Sequence, residues 1–221
     1  KGIKSVQATI EFAQKGDFVH LRALGMYYLG IMTVAANVNR ADKEVKEKMT
    51  EGFDLIHQGL ELEETIGSKL GVSSRWVLLA DAYRQTGQLE KAWQAVRYGE
   101  QEINSRHERY FEAELLRIKG ELYIVAEDER MAETCWQQAV EIARQQKARS
   151  WELKVTNNLC RLWRRQGKRA KAHRLIANIC ACFAGDLITP ELQEARGCLT
   201  ALKSETAAND SDLSSVQKTH I

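Results

Sequence analysis

One pattern, small then aromatic then small then large apolar, returns at a fixed interval along this chain. In RWVLLADAYRQTGQLEKAWQAV, residues 75–96, Leu79, Ala80 and Tyr83 share one face of a predicted helix. Leu89, Ala92 and Val96 share one face of a second, beyond a turn at Gly87. Small side chains at Ala80 and Ala92 let two helices approach closely, and Tyr83 fills the space beside them. Forty residues on, Gly120, Tyr123, Ala132, Trp136 and Ala139 take the places of Ala80, Tyr83, Ala92, Val96 and Gly99. Another forty on stand Cys160, Trp163, Ala172, Ile176 and Ile179. Two recurrences in one register require stacked units, because a single helical hairpin cannot bury both of its faces.

The expected fold is therefore all-α: a right-handed superhelix of tetratricopeptide-like hairpins. The interval exceeds the roughly 34 residues usual for that repeat, which longer helices would absorb. The reading divides the chain into 1–66, a truncated first hairpin plus a long divergent one; 67–184, three regular hairpins at 75–105, 107–147 and 149–184; 185–203, a capping helix; and 204–221, a disordered tail. In the first segment Gly25 and Gly30 interrupt a long apolar helix, at a cost of roughly 1 kcal/mol each against alanine. They are expected to admit its hairpin partner. Asp42–Lys46 and Glu44–Lys48 are expected as surface pairs on that partner. Ser105 with Glu108 reads as a capping box, and Thr189-Pro190-Glu191 as a helix start. Trp76 is expected to touch the preceding repeat. The single proline, Pro190, leaves the helices uninterrupted. No run reads as a strand or as a membrane span of about 20 apolar residues.

Lysine and arginine number 32 against 30 acids, a formal net charge of +2, which gives no general attraction to nucleic acid or membrane. The odd count of five cysteines, without extracellular features, predicts reduced thiols in a cytoplasmic protein. Cys160 is expected in the hairpin contact. Cys180 and Cys182 point about 200° apart on a helix and make poor co-ligands. The first residue, Lys1, suggests a piece of a longer protein.

Three segments carry a family resemblance: HERYFEAELLRIKGELYI (107–124), WQQAVEIARQQKARSWELKVTNNLCRLWRRQGKRAKAHRL (136–175) and DLITPELQEARGCLTAL (186–202). They resemble the C-terminal region of bacterial signalling proteins that join a nucleotide cyclase or protein kinase module, a STAND/AAA-like predicted ATPase and a long tetratricopeptide array. The resemblance spans about residues 59–202. It implies a protein-interaction or autoregulatory array, with catalysis in other domains of the parent.

No phosphate loop, GxGxxG, HExxH, GxSxG or paired CxxC is present, so no catalytic, cofactor-binding or metal-ligating residue is expected. The five histidines lack ligand spacing, and Glu127-Asp128-Glu129 suits a helix start better than a metal site. The tryptophans follow the repeat and read as core.

Residues 144–174 hold eleven basic residues against one acid, Glu152. The first helix of each hairpin should line a concave groove. Its exposed face is expected to carry Ser74, Val77, Asp81, Arg84 and Gln85; then Glu114, Arg117, Glu121, Ile124 and Val125; then Lys154, Asn157, Arg161, Arg164 and Arg165. Of these, Arg84, Arg117, Glu121, Lys154, Asn157, Arg161, Arg164 and Arg165 form the expected partner groove. The partner would be a protein, a peptide or another domain of the parent. The alternative is a nucleic-acid-binding module using the basic third repeat.

Overall fold

A computed structural model describes residues 2–38, 40, 42–69, 71–106, 108–183 and 188–217, with side chains as far as Ser204. Ten α-helices and one short 3₁₀ turn account for the regular structure, with no strand among the described residues. Backbone contacts divide the chain into two compact units, Lys1–Phe111 and Glu112–Ile221.

The first unit holds α1 (Gly2–Lys15), α2 (Val19–Asn37), α3 (Lys43–Thr65), α4 (Val72–Gln85) and α5 (Leu89–Arg106), then the 3₁₀ turn Arg109–Phe111. α2 packs between α1 and α3, and α4 pairs with α5. The long α2–α3 crossing is close because glycine lines it. A Cβ on Gly59 would lie 2.7 Å from the Ala23 carbonyl oxygen, and one on Gly30 would meet the backbone of Gly52 and Ile56. Gly25 faces Ile10 of α1, not the hairpin partner. By length and composition α2 could cross a membrane, contrary to the sequence reading; in this fold its Ala23, Tyr27 and Val34 are buried.

The second unit holds α6 (Glu112–Val125), α7 (Glu129–Gln145), α8 (Arg149–Arg165), α9 (Arg169–Ala181) and α10 (Pro190–Gln217). α6 pairs with α7 and α8 with α9, while α8 also packs on α7 and on α10. Ala132, Trp136, Leu159, Trp163, Ile176 and Leu192 belong to one buried cluster. Every predicted repeat-core residue of these two hairpins except the half-buried Tyr123 is buried.

Five helices, α3, α4, α6, α7 and α8, end by one device. Gly67, Gly87, Glu127, Lys147 and Gly167 all take positive φ, between 55° and 74°. At 87 and 167 the next residue's N–H reaches back five residues, Gln88 N to Tyr83 O at 2.9 Å and Lys168 N to Trp163 O at 2.8 Å. This is the Schellman closure, which satisfies carbonyls that a helix end leaves open. Three helix starts are capped by side chains: Asp42 accepts from Val45 N, Asp128 from Met131 N and Thr189 from Leu192 N.

Several local expectations change. Asp42 caps its helix and sits 3.6 Å from Arg40, whereas Glu44–Lys48 forms as predicted. Glu108 accepts from the Ser73 hydroxyl at 3.2 Å, so Ser105 and Glu108 make no capping box. Trp76 packs on Tyr98 of its own hairpin, with ring centroids 4.7 Å apart. Helix α10 runs on to Gln217, past the expected stop near Leu202; residues 204–217 contain neither glycine nor proline to end it. Cys160 is joined to Cys198, a disulfide that replaces the expected reduced pair, because α10 packs directly on α8. Cys135 is buried, Cys180 half-buried and Cys182 exposed.

Candidate recognition surfaces

The first-helix face of the second unit is a chain of polar contacts across α6, α8 and α10. Arg117 reaches both Glu114, at 2.8 and 2.9 Å, and Glu121, at 2.5 Å. Glu121 accepts from Asn158 Nδ2 at 2.9 Å. Arg161 donates to the Asn158 side-chain oxygen Oδ1 and pairs with Glu194 at 3.3 Å. Asn157 donates to the Glu191 backbone carbonyl at 2.9 Å and to Glu194 at 3.3 Å. Heptad-like spacing along α6 and α8 puts these side chains on one face, and α10 supplies the acids that close the row.

Four of the predicted groove residues, Arg117, Glu121, Asn157 and Arg161, thus lie along one row of contacts. They are not equally open. Arg117 and Asn157 are buried, as are Ser74, Val77 and Glu114, so the expectation of an exposed face fails at these positions. For Glu114, Arg117 and Asn157 the reason is the neighbouring helix: α8 covers α6, and α10 covers α8 with Glu191 and Glu194. Arg161 keeps 63% and Glu194 44% of its side-chain surface, which leaves one exchangeable ion pair at the edge. Arg84 is held by Asp81 at 2.8 Å within α4 of the first unit. Lys154 and Arg164 are half-buried.

The basic run is partly neutralised by acids distant in sequence. Arg165 meets Glu129 at 3.1 Å; Lys168 and Lys171 meet Glu133 at 2.8 and 3.2 Å; Arg144 and Arg149 share Glu152 at 2.7 and 2.6 Å. Glu133 also accepts from the Trp163 indole at 2.8 Å, and Lys171 lies 4.1 Å from that ring's centroid. Burial pushes the Glu133 carboxyl up, but hydrogen bonds from Lys168, Trp163 and Lys171 outweigh it and hold the group below the ordinary range.

A buried polar cluster in the first unit went unseen in the sequence. Arg75 pairs with Glu63 at 2.9 Å, Glu63 with His20 Nδ1 at 2.7 Å, and the Tyr27 hydroxyl donates to the Arg75 carbonyl at 2.6 Å. Burial, assisted by Tyr28 and opposed by Arg75, pushes the Tyr27 hydroxyl well above its usual value. Arg75 and Glu63 sit 12 positions apart on different helices, so no helical spacing announces the pair. No group of three or more potential metal ligands occurs among the described residues.

No family model and no curated protein matches the chain. A solved structure does: BtubC (BKLC) from P. vanneervenii superposes with a TM-score of 0.66 at 14% sequence identity, covering 94% of this chain and 91% of that one. At that identity the likeness is one of fold.

Proposed function

We propose that this chain is a non-catalytic recognition array, a tetratricopeptide-like superhelix that binds a polypeptide or another domain of its own parent protein. The observation that carries this reading is the in-register polar row on α6, α8 and α10, ending in the exposed Arg161–Glu194 pair. Stacked hairpins present such a row at fixed spacing, and an incoming peptide can exchange its own charges for an edge pair that is weakly held in water. Arg161 contributes a planar fork of donors suited to a carboxylate. The resemblance of the segments at 107–124, 136–175 and 186–202 supports reading the array as part of a larger cytoplasmic signalling protein with an ATPase and a cyclase or kinase module.

Selection of a random peptide library on the immobilised 221-residue chain tests the reading. Peptides sharing one charge pattern should be enriched, and Arg161→Glu should abolish that enrichment while leaving the helical circular dichroism intact. Absence of any shared pattern, or the same pattern with Arg161→Glu, contradicts it.

A further inference from the structure

The end of α7, the α8–α9 turn and the first turns of α9 enclose an open cleft of about 710 Å³. Arg144, Lys168, Arg169, Lys171 and Arg174 line it, and no carboxylate does. Trp163 and Leu175 supply an apolar floor. The nearby acids are already shared: Lys168, Lys171 and Trp163 all contact Glu133, and Arg144 and Arg149 both contact Glu152. Arg169 and Arg174 are exposed, and Arg174 forms no ion pair among the described residues. α9 adds the positive end of a 13-residue helix whose N-cap, Lys168, makes no capping hydrogen bond with its side chain.

We propose that this cleft binds an acidic peptide segment, a run of about four or five residues bearing several carboxylates. The proposal rests on the reading of the chain as a polypeptide-binding array and gives it a second surface, separate from the Arg161 face. The layout of the charges selects this ligand. The lining residues from Lys168 to Asn178 extend over about 15 Å of helix at 1.5 Å per residue. A single small anion would engage one end of that line, whereas an extended peptide at roughly 3.3 Å per residue follows it. The apolar floor suits an aliphatic side chain between the acids. Nucleic acid is the weaker match, because the chain as a whole carries only +2 with a pI near 8.3 and gives no extended basic track.

The test is fluorescence anisotropy with the full 221-residue chain and a labelled nine-residue peptide of glutamates and aspartates around a central leucine. Unlabelled oligothymidylate and inorganic phosphate serve as competitors. The expected result is saturable binding at 50 mM salt, weakened several-fold at 300 mM. Arg169→Glu/Arg174→Glu should lose about tenfold or more in affinity, and Arg174→Gln alone a few-fold. Unchanged affinity in both cleft variants overturns the site. So does equal binding of a peptide with the acids replaced by glutamine and asparagine, or competition by oligothymidylate or phosphate at lower concentration than the unlabelled peptide. If the cleft variants bind normally while Arg161→Glu still abolishes library selection, the cleft falls and the array reading stands. Failure of the library selection alone leaves the cleft measurement to be judged on its own.

Discussion

Tyr83 in the first unit and Trp163 in the second stand 80 residues apart, two repeat intervals, and they are held by different forces. Tyr83 stacks on Phe53 with centroids 4.9 Å apart and planes at 10°, and its hydroxyl meets His57 at 3.0 Å. Lys91 lies 5.5 Å from the ring centroid. Trp163 meets Glu133 where Tyr83 meets Phe53, and Lys171 where Tyr83 meets Lys91; each partner is also shifted by 80. The lattice of positions is conserved between the two units while the chemistry changes from aromatic stacking to a charged clamp. The comparison teaches that the repeat fixes where a partner stands and leaves its polarity free. It also extends the register back to α3, which the sequence reading had treated as divergent.

The largest effect should come from Trp163→Ala, which empties a buried site and strips Glu133 of one donor. Urea unfolding should show a loss of about 3–5 kcal/mol. Trp163→Phe should retain most of the packing, so its smaller loss isolates the indole N–H contact with Glu133.

A second pairing sharpens the same point. At the small position of the first helix, Ala80 stands in one unit and Gly120 in the other, opposite Val96 and Trp136 of the second helices. A Cβ at 120 would fall on the Trp136 indole, whose Nε1 donates to the Arg117 carbonyl at 2.9 Å. The bulkier partner therefore requires the glycine. Gly120→Ala should destabilise by about 1–3 kcal/mol, and Gly120→Ala/Trp136→Val should cost less than the sum of the two single changes.

The charged clamp should also respond to acid. The Glu133 carboxyl is held below its ordinary value in the folded chain, so the clamp contributes fully above the unfolded-state value of about 4.3. That contribution is lost as pH falls through the lowered folded value. Unfolding of the native chain and of Glu133→Gln, followed from pH 6 to pH 3, should show a stability gap that closes at the acid end. A gap independent of pH contradicts the clamp.

Thiol reactivity gives the smallest effect. Cys182 is exposed, and burial raises the half-buried Cys180 thiol against a lowering influence from Arg196. Alkylation at pH 8 should therefore label Cys182 before Cys180, with Cys135 last.

The helical hairpins were legible because apolar periodicity and the glycine turns at 87 and 167 are local signals. The non-glycine turns at Glu127 and Lys147 are less so: they adopt positive φ without the residue type that advertises it, Glu127 midway between Gly87 and Gly167. The candidate face was legible in membership and not in exposure. Spacing along α6 and α8 groups Arg117, Glu121, Asn157 and Arg161, but Arg117 is covered by α8 and Asn157 by Glu191 and Glu194 of α10, more than 30 residues away in each case. The same distance hid the acids that partly neutralise the basic run and the partner that Cys160 finds in Cys198. Contacts between helices distant in sequence are set by packing, and no periodicity within one helix encodes them.

The most direct test of this account is the salt dependence of two stability losses measured by urea unfolding, Phe53→Leu in the first unit and Glu133→Gln in the second. Each should cost on the order of 1 kcal/mol at 50 mM salt. The account predicts that raising the salt to 500 mM shrinks the Glu133→Gln loss substantially and leaves the Phe53→Leu loss unchanged within error. Equal salt responses at the two positions would contradict it.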